Sequence, residues 1–221
     1  MYYSIKLFNI TENKYELLQT LNFRTKAVLK IIELKNKILV SCSWDSSIIF
    51  YLKDNNEYKL DYKISTNGAC STIIQTKDNE ICYCESKIES NNDKICFYDL
   101  LERKVKASVS NISTRNMIML TKDLLFITGC FEISIINVNN YKLRIIDVPE
   151  ASYINGVCML NQNMLLTGDF AKIIRQWRIE GDNLILVSKK EKAHDNYIYD
   201  LKKLGNGHIA SCSSDLTIKI W

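Results

Sequence analysis

Three side chains near one end of the chain are the types that cooperate in acyl transfer: His194, Ser211 and Asp215. An imidazole can take a hydroxyl proton while a carboxylate orients it, so the set has the chemistry of a nucleophilic triad. That chemistry requires a hydroxyl that substrate can reach. Other reactive residues are sparse. Of eight cysteines only Cys82 and Cys84 are close together, and the two histidines, His194 and His208, lie far from them. No metal-ligand spacing is spelled out, and no metal or other cofactor is expected. The Gly205–Gly207 stretch reads as a hairpin turn rather than a phosphate-binding loop. Carboxylates are scattered, with no pair at a fixed structural position.

Whether Ser211 is reachable depends on the elements that carry it, and these are repeated. Residues 204–221 (LGNGHIASCSSDLTIKIW) align without a gap on residues 34–51 (LKNKILVSCSWDSSIIFY), an offset of 170 residues that pairs Ser41 with Ser211 and Asp45 with Asp215. Intermediate copies begin near Gln75, Leu120 and Leu160, giving spacings of 41, 45, 40 and 44 residues. A period of roughly 40–45 residues is that of a propeller, whose repeat is a four-stranded blade. Each copy holds two short apolar runs rich in Ile, Val, Phe, Tyr and Thr, such as KILVSCS followed by SIIFYL. Several runs are apolar on both faces, as strands sandwiched between neighbouring sheets must be. Turns use Asn and Asp in place of glycine, as at Asn55-Asn56 and Asn139-Asn140; the chain has 7 Gly and 1 Pro.

The expected fold class is therefore all-β, a β-propeller of about five four-stranded antiparallel blades. The repeats fall roughly at 22–65, 66–111, 112–149, 150–190 and 191–221, forming one domain over 1–221. Residues 15–21 are expected to supply the closing strand of the last repeat. Residues 4–10 are then one strand too many: they cap the ring, or the chain is a piece of a longer propeller, which the ending on Trp221 in mid-blade favours.

Composition agrees. Among 221 residues 47% are hydrophobic and 24% charged, which suits a packed core. A net charge of +4, from 29 basic and 25 acidic residues, is too small to argue for nucleic acid. No apolar run approaches the roughly 18–20 residues that span a bilayer, and Met1–Ile10 lacks a secretory pattern, so the cytoplasm or nucleus is expected. The cysteines then read as small buried hydrophobes.

Residues 192–221 resemble a WD repeat. The family's Gly-His pair appears as Ala193-His194, and its strand-turn-strand signature runs from Ser211 to Trp221. Earlier copies are degenerate: Tyr51 stands where Trp221 stands, and Tyr98-Asp99, Ile136-Asn137 and Trp177-Arg178 replace the Trp-Asp pair. The resemblance implies that His194, Ser211, Asp215 and Trp221 form a buried hydrogen-bonded network within a blade. They are then structural, and the triad reading fails on access. The first repeat keeps Ser41 and Asp45 but has no histidine near Arg24, so its network is expected to be incomplete.

The resemblance also implies a non-catalytic scaffold with protein or peptide partners of unknown identity. The turn between the second and third strands carries an aromatic in three repeats: Trp44, Phe131 and Phe170. Tyr153 and Tyr197 occupy equivalent positions in the loop that enters the first strand. These five rings are the expected binding residues, on one face of the propeller. Two other readings were weighed. An enzyme would use the first strands lining the channel, which offer Glu33 and Asp200. Binding of RNA or phospholipid phosphates would use Lys26, Lys30, Lys35, Lys37, Lys189, Lys190, Lys192, Lys202 and Lys203, which read as solvated strand ends. Nucleic acid and membrane are therefore not expected partners.

Overall fold

The computed structural model describes residues 3–12, 14–86, 93–148, 150–181 and 183–221. They form two compact units, one reaching to Asn111 and the other running from Ile112 to Trp221. Regular structure is all β.

The first unit opens with a hairpin, β1 (Ile5–Thr11) and β2 (Lys14–Leu21). Two four-stranded sheets follow. One contains β3 (Val28–Glu33), β4 (Leu39–Ser43), β5 (Ser47–Asp54) and β6 (Glu57–Ser65). The other contains β7 (Ala69–Lys77), β8 (Glu80–Ser86), β9 (Asp93–Asp99) and β10 (Lys104–Ile112). In the second unit β11 (Asn116–Met119), β12 (Leu124–Thr128), β13 (Glu132–Asn137) and β14 (Leu143–Asp147) make one four-stranded sheet. The next is β15 (Ile154–Asn161), β16 (Met164–Asp169), β17 (Ile174–Glu180) and β18 (Asn183–Lys190). The last has three strands: β19 (Ile198–Lys203), β20 (Ile209–Ser213) and β21 (Ile218–Ile220). Strands follow one another in sequence order within every sheet, so each sheet is a meander, and the five repeats are the blades of a β-propeller.

The strand order places burial where the apolar runs are. β4 and β12 are buried at every position, whereas the outer strand β18 is almost wholly exposed. A middle strand has a sheet packed on both faces, so both sets of its alternating side chains leave water. The blades meet face to face. Val40, Cys42, Ile48 and Phe50 pack on Cys70, Ile73, Ile81 and Tyr83. Phe126, Ile133 and Ile135 pack on Ile154, Val157 and Trp177. Cys158 and Ile174 pack on Ile198, Leu201 and Ile209. All eight cysteines are free, and six are buried. Burial pushes the Cys96 and Cys158 thiols up to about 11, so they are poor nucleophiles.

The strand that seemed surplus has a partner. β1 pairs with β2 from Ile5↔Leu21 to Thr11↔Lys14, and the hairpin packs Ile5 and Leu21 on Leu39, Ile49 and Tyr51 of the first blade. The Gln19 amide donates to the Tyr58 carbonyl at 2.7 Å and accepts the Tyr58 N–H at 2.8 Å, stitching β2 to β6. The other edge of β2 carries no strand within its unit. Completion of the last repeat by residues 15–21 would join the two units and stands as a proposal.

The Asn turns differ: near Asn139-Asn140 the left-handed residue is Tyr141. Asn55 and Asn56 take φ of 46° and 68°, the left-handed pair of a two-residue hairpin. The Asn91-Asn92 turn and Asp182 lie outside the described residues.

Candidate functional site

In the last blade a directed chain of hydrogen bonds links four side chains. Trp221 Nε1 donates to Ser211 Oγ at 2.9 Å. Ser211 Oγ and His194 Nε2 are 2.6 Å apart, and His194 Nδ1 and Asp215 Oδ2 are 2.7 Å apart. Since the indole can only donate and the carboxylate can only accept, a neutral imidazole donates from Nδ1 to Asp215 and can accept the Ser211 hydroxyl proton at Nε2. Thr217 Oγ1 and the N–H groups of Asp195 and Thr217 also donate to the carboxylate, at 2.6, 3.0 and 2.9 Å. Ser211, the oxygen that would have to attack, is 1% exposed and sits under the indole. The four side chains form one continuous hydrogen-bonded network.

Burial works to raise the Asp215 carboxyl, but the hydrogen bonds from Thr217, His194 and the backbone hold it below the usual carboxylate range. The folded carboxylate binds its proton more weakly than the unfolded one, whose pKa is about 3.9. Its stabilisation is therefore complete above about pH 4 and is lost as pH falls through the depressed folded value. The melting-temperature gap between the native chain and Asp215→Asn is expected to narrow as pH falls from about 4 to 2, without closing within that range. A gap that stays constant across that window would exclude this linkage.

The first blade corrects an expectation. Its network links all four positions, with Arg24 standing 170 residues before His194 and doing the work of the imidazole, although Arg24 Nε has no hydrogen-bond partner among the described residues. Arg24 Nη1 donates to Asp45 Oδ1 at 3.1 Å and to Ser47 Oγ at 2.8 Å, while Nη2 donates to the Ser41 carbonyl and hydroxyl. Ser41 Oγ lies 3.2 Å from the Tyr51 hydroxyl, which replaces the Trp221 indole. The turn repeats several of the last blade's bonds. Thr25 N–H caps Asp45 as Asp195 N–H caps Asp215, and Asp45 N–H meets Ser43 Oγ at the 3.1 Å that separates Asp215 N–H from Ser213 Oγ. A guanidinium has donors enough to reach carboxylate, hydroxyl and carbonyl together. In the fourth blade Trp177 Nε1 donates to Thr167 Oγ1 at 2.8 Å, and a buried Arg175–Asp169 ion pair lies nearby.

Three of the expected binding residues come together in the second unit. Phe170 stacks on Tyr197 with centroids 4.4 Å apart and planes 10° apart, and meets Tyr153 at 5.3 Å. Tyr199, not anticipated from sequence, stands edge-on to Phe170 at 5.7 Å. The Arg115 guanidinium, also unanticipated, lies 4.4 Å over the Tyr153 ring. Backbone bonds hold the rings in place: Phe170 N–H donates to the Tyr153 carbonyl, as Ser214 N–H does to that of Tyr197. Gly168 lets the strands close. A Cβ there would lie 2.7 Å from Ile198 Cγ2, and Ile198 is the residue between Tyr197 and Tyr199.

Phe131 is 56% exposed and makes no ring contact among the described residues. Its hairpin is one residue short: Leu125 pairs with Ile136, eleven residues on, whereas Leu39 pairs with Tyr51 and Leu165 with Trp177, twelve residues on. Phe131 consequently occupies the left-handed position of the turn (φ 60°), the place of Ser46 and Lys172, rather than that of Phe170. Trp44, in the first unit, is 55% exposed at the head of its turn, with its N–H on the Ala27 carbonyl.

The alternative sites are occupied by ordinary contacts. Glu33 pairs with Lys37 at 2.7 Å, and Asp200 accepts the Leu201 N–H at 2.8 Å. Lys35 pairs with Asp78 and Lys189 with Glu150. Among the described residues there is no cluster of three metal-ligating side chains, and no helix is long and apolar enough to cross a membrane.

The meander blades define a β-propeller whose last repeat carries this network. Residues 187–221 match the family model described as WD domain, G-beta repeat. No curated protein matches the sequence. Among solved structures, a chain in the crystal structure of the mitotic checkpoint complex is similar, with a TM-score of 0.77 at 14% identity. The match covers 93% of this chain and 64% of that one, so the chain spans less than two thirds of that relative's length. At that identity the likeness is one of fold.

Proposed function

We propose that the chain is a non-catalytic interaction scaffold of the WD-repeat kind, which binds a protein or peptide through the ring cluster of its second unit. One observation carries the reading: Tyr153, Tyr197 and Tyr199 each contact Phe170, and all four rings remain partly exposed. Rings that keep water contact while packed on each other are pre-ordered, so a partner gains aromatic area at little entropic cost. The repeat fold supports the reading, as does the origin of the similar chain in a protein complex. Phe131 is a further proposed contact on the second unit and Trp44 one on the first. Function in the cytoplasm or nucleus is part of the proposal.

The test selects peptides from a displayed random library on the native chain and measures them against Phe170→Ala/Tyr197→Ala. The double variant is expected to keep its circular-dichroism spectrum and lose affinity by about tenfold or more. Peptides that bind the folded double variant equally well would overturn the reading, as would a library that yields no binder.

A further inference from the structure

The ring cluster has polar atoms that no part of the protein uses, and they specify what should lie on it. Among the described residues the Tyr153, Tyr197 and Tyr199 hydroxyls have no protein hydrogen-bond partner. Arg115 has no carboxylate within salt-bridge distance; its contact besides the Tyr153 ring is Nη2 to Cys130 Sγ at 3.7 Å. The exposed polar rim is thus a fixed guanidinium and three phenols. The rings themselves pack at 4.4–5.7 Å between centroids. A group inserted between two facing rings needs roughly 7 Å, twice a van der Waals contact. The rings are therefore a continuous surface on which a ligand lies, not a cage that encloses one.

We infer that this surface takes an extended proline-containing peptide with an acidic residue placed to meet Arg115. The inference rests on the scaffold reading above and narrows its partner. A polyproline segment fits the inventory. Its rings are flat and apolar, its carbonyls carry no internal hydrogen bonds, and proline brings no N–H that would need an acceptor. Phenols and a guanidinium supply donors to those carbonyls, and aromatic-lined surfaces receive such segments for this reason. The unpaired, pre-oriented Arg115 adds one site of charge complementarity, best met by a carboxylate. Single-stranded nucleic acid would stack equally well, but it needs a basic track along its backbone. The loops that carry Tyr153 and Tyr197 hold Glu150 and Asp195 beside Lys192, a mixed set and not a basic track.

The experiment measures fluorescence anisotropy with four labelled probes: a proline-rich dodecapeptide carrying one Glu, the same peptide with Lys for Glu, the same with Ala for each Pro, and an oligouridylate. Each probe is titrated against the native chain and Arg115→Glu, whose fold is checked by melting. The native chain is expected to prefer the Glu peptide over the Lys peptide by about tenfold, and Arg115→Glu to reverse that order. The Ala peptide should bind more weakly than its proline parent. A preference unmoved by Arg115→Glu, equal binding of the Ala peptide, or tighter binding of the oligouridylate would each overturn the inference. If library peptides still depend on Phe170 and Tyr197 in those cases, the scaffold reading survives and the partner chemistry fails alone.

Discussion

Arg24→Ala is expected to destabilise the first unit by about 3–5 kcal/mol, the usual cost of removing one partner of a buried ion pair. Both partners are almost fully enclosed, with side-chain exposures of 0% for Arg24 and 3% for Asp45. Alanine strands the Asp45 carboxylate and removes the donor from the Ser41 carbonyl and the Ser47 hydroxyl. The Ser47 hydroxyl keeps its bond to Asp45, so each neutral hydrogen bond lost adds only about 0.5–1.5 kcal/mol, and the costs within one network do not simply add. Arg24→His is expected to recover part of the loss, because the surrounding Ser–Asp–Ser turn matches the one that holds His194. Chemical denaturation followed by tryptophan fluorescence reads both variants. An Arg24→Ala midpoint within about 1 kcal/mol of the native value would show that the guanidinium is not holding the blade.

A loss of similar size is expected for Asp169→Ala in the second unit. Arg175 is 1% exposed, its Nη1 donates to Asp169, and its Nη2 has no partner among the described residues. A carboxylic acid can shed its charge when isolated, but a guanidinium cannot, so Arg175 would remain a buried cation without a counter-ion. Asp169 also accepts the Ile173 N–H at 3.1 Å, closing the turn that presents Phe170. Its removal should therefore loosen the ring cluster as well as the blade. The expected cost is about 3–5 kcal/mol, and Asp169→Ala/Arg175→Met should recover most of it, since a buried pair replaced by apolar groups is often neutral. A double-mutant cycle on unfolding free energy measures the coupling. Single variants whose effects add, with no recovery in the double, would rule out the pair as a unit.

Much of the fold was legible before any coordinates. The copy at residues 34–51 and the copy at 204–221 share spacing as well as residue type, and the strands that formed were those whose runs are apolar on both faces. A pleated strand between two sheets has few other compositions open to it. The candidate site was legible in part. Tyr153 and Tyr197 could be aligned because each stands one residue before its first strand, and Phe170 because its hairpin has the length of the one that carries Trp44. Phe131 could not be separated from them, since a hairpin shortened by one residue moves a side chain to a different turn position without altering the local pattern. Arg24 passed as a mismatch because it was compared with histidine by type. What the turn requires is a donor reaching both the carboxylate and the serine, and arginine meets that requirement by another geometry.

The sequence by itself determined the repeat, the strand pattern, the free buried cysteines and the Ser–Asp turn of the first and last blades. These depend on residues near one another in the chain, or on a period that recurs along it. Only the tertiary structure decided that Tyr199 and Arg115 join the ring cluster, and that Arg175 and Asp169 are a buried pair. Tyr199 joins the rings where one blade's backbone closes on the next, at Gly168 against Ile198, while Arg115 reaches Tyr153 from another sheet and Arg175 meets Asp169 inside one blade. The distance of that approach is set by packing across sheets, which no local pattern encodes.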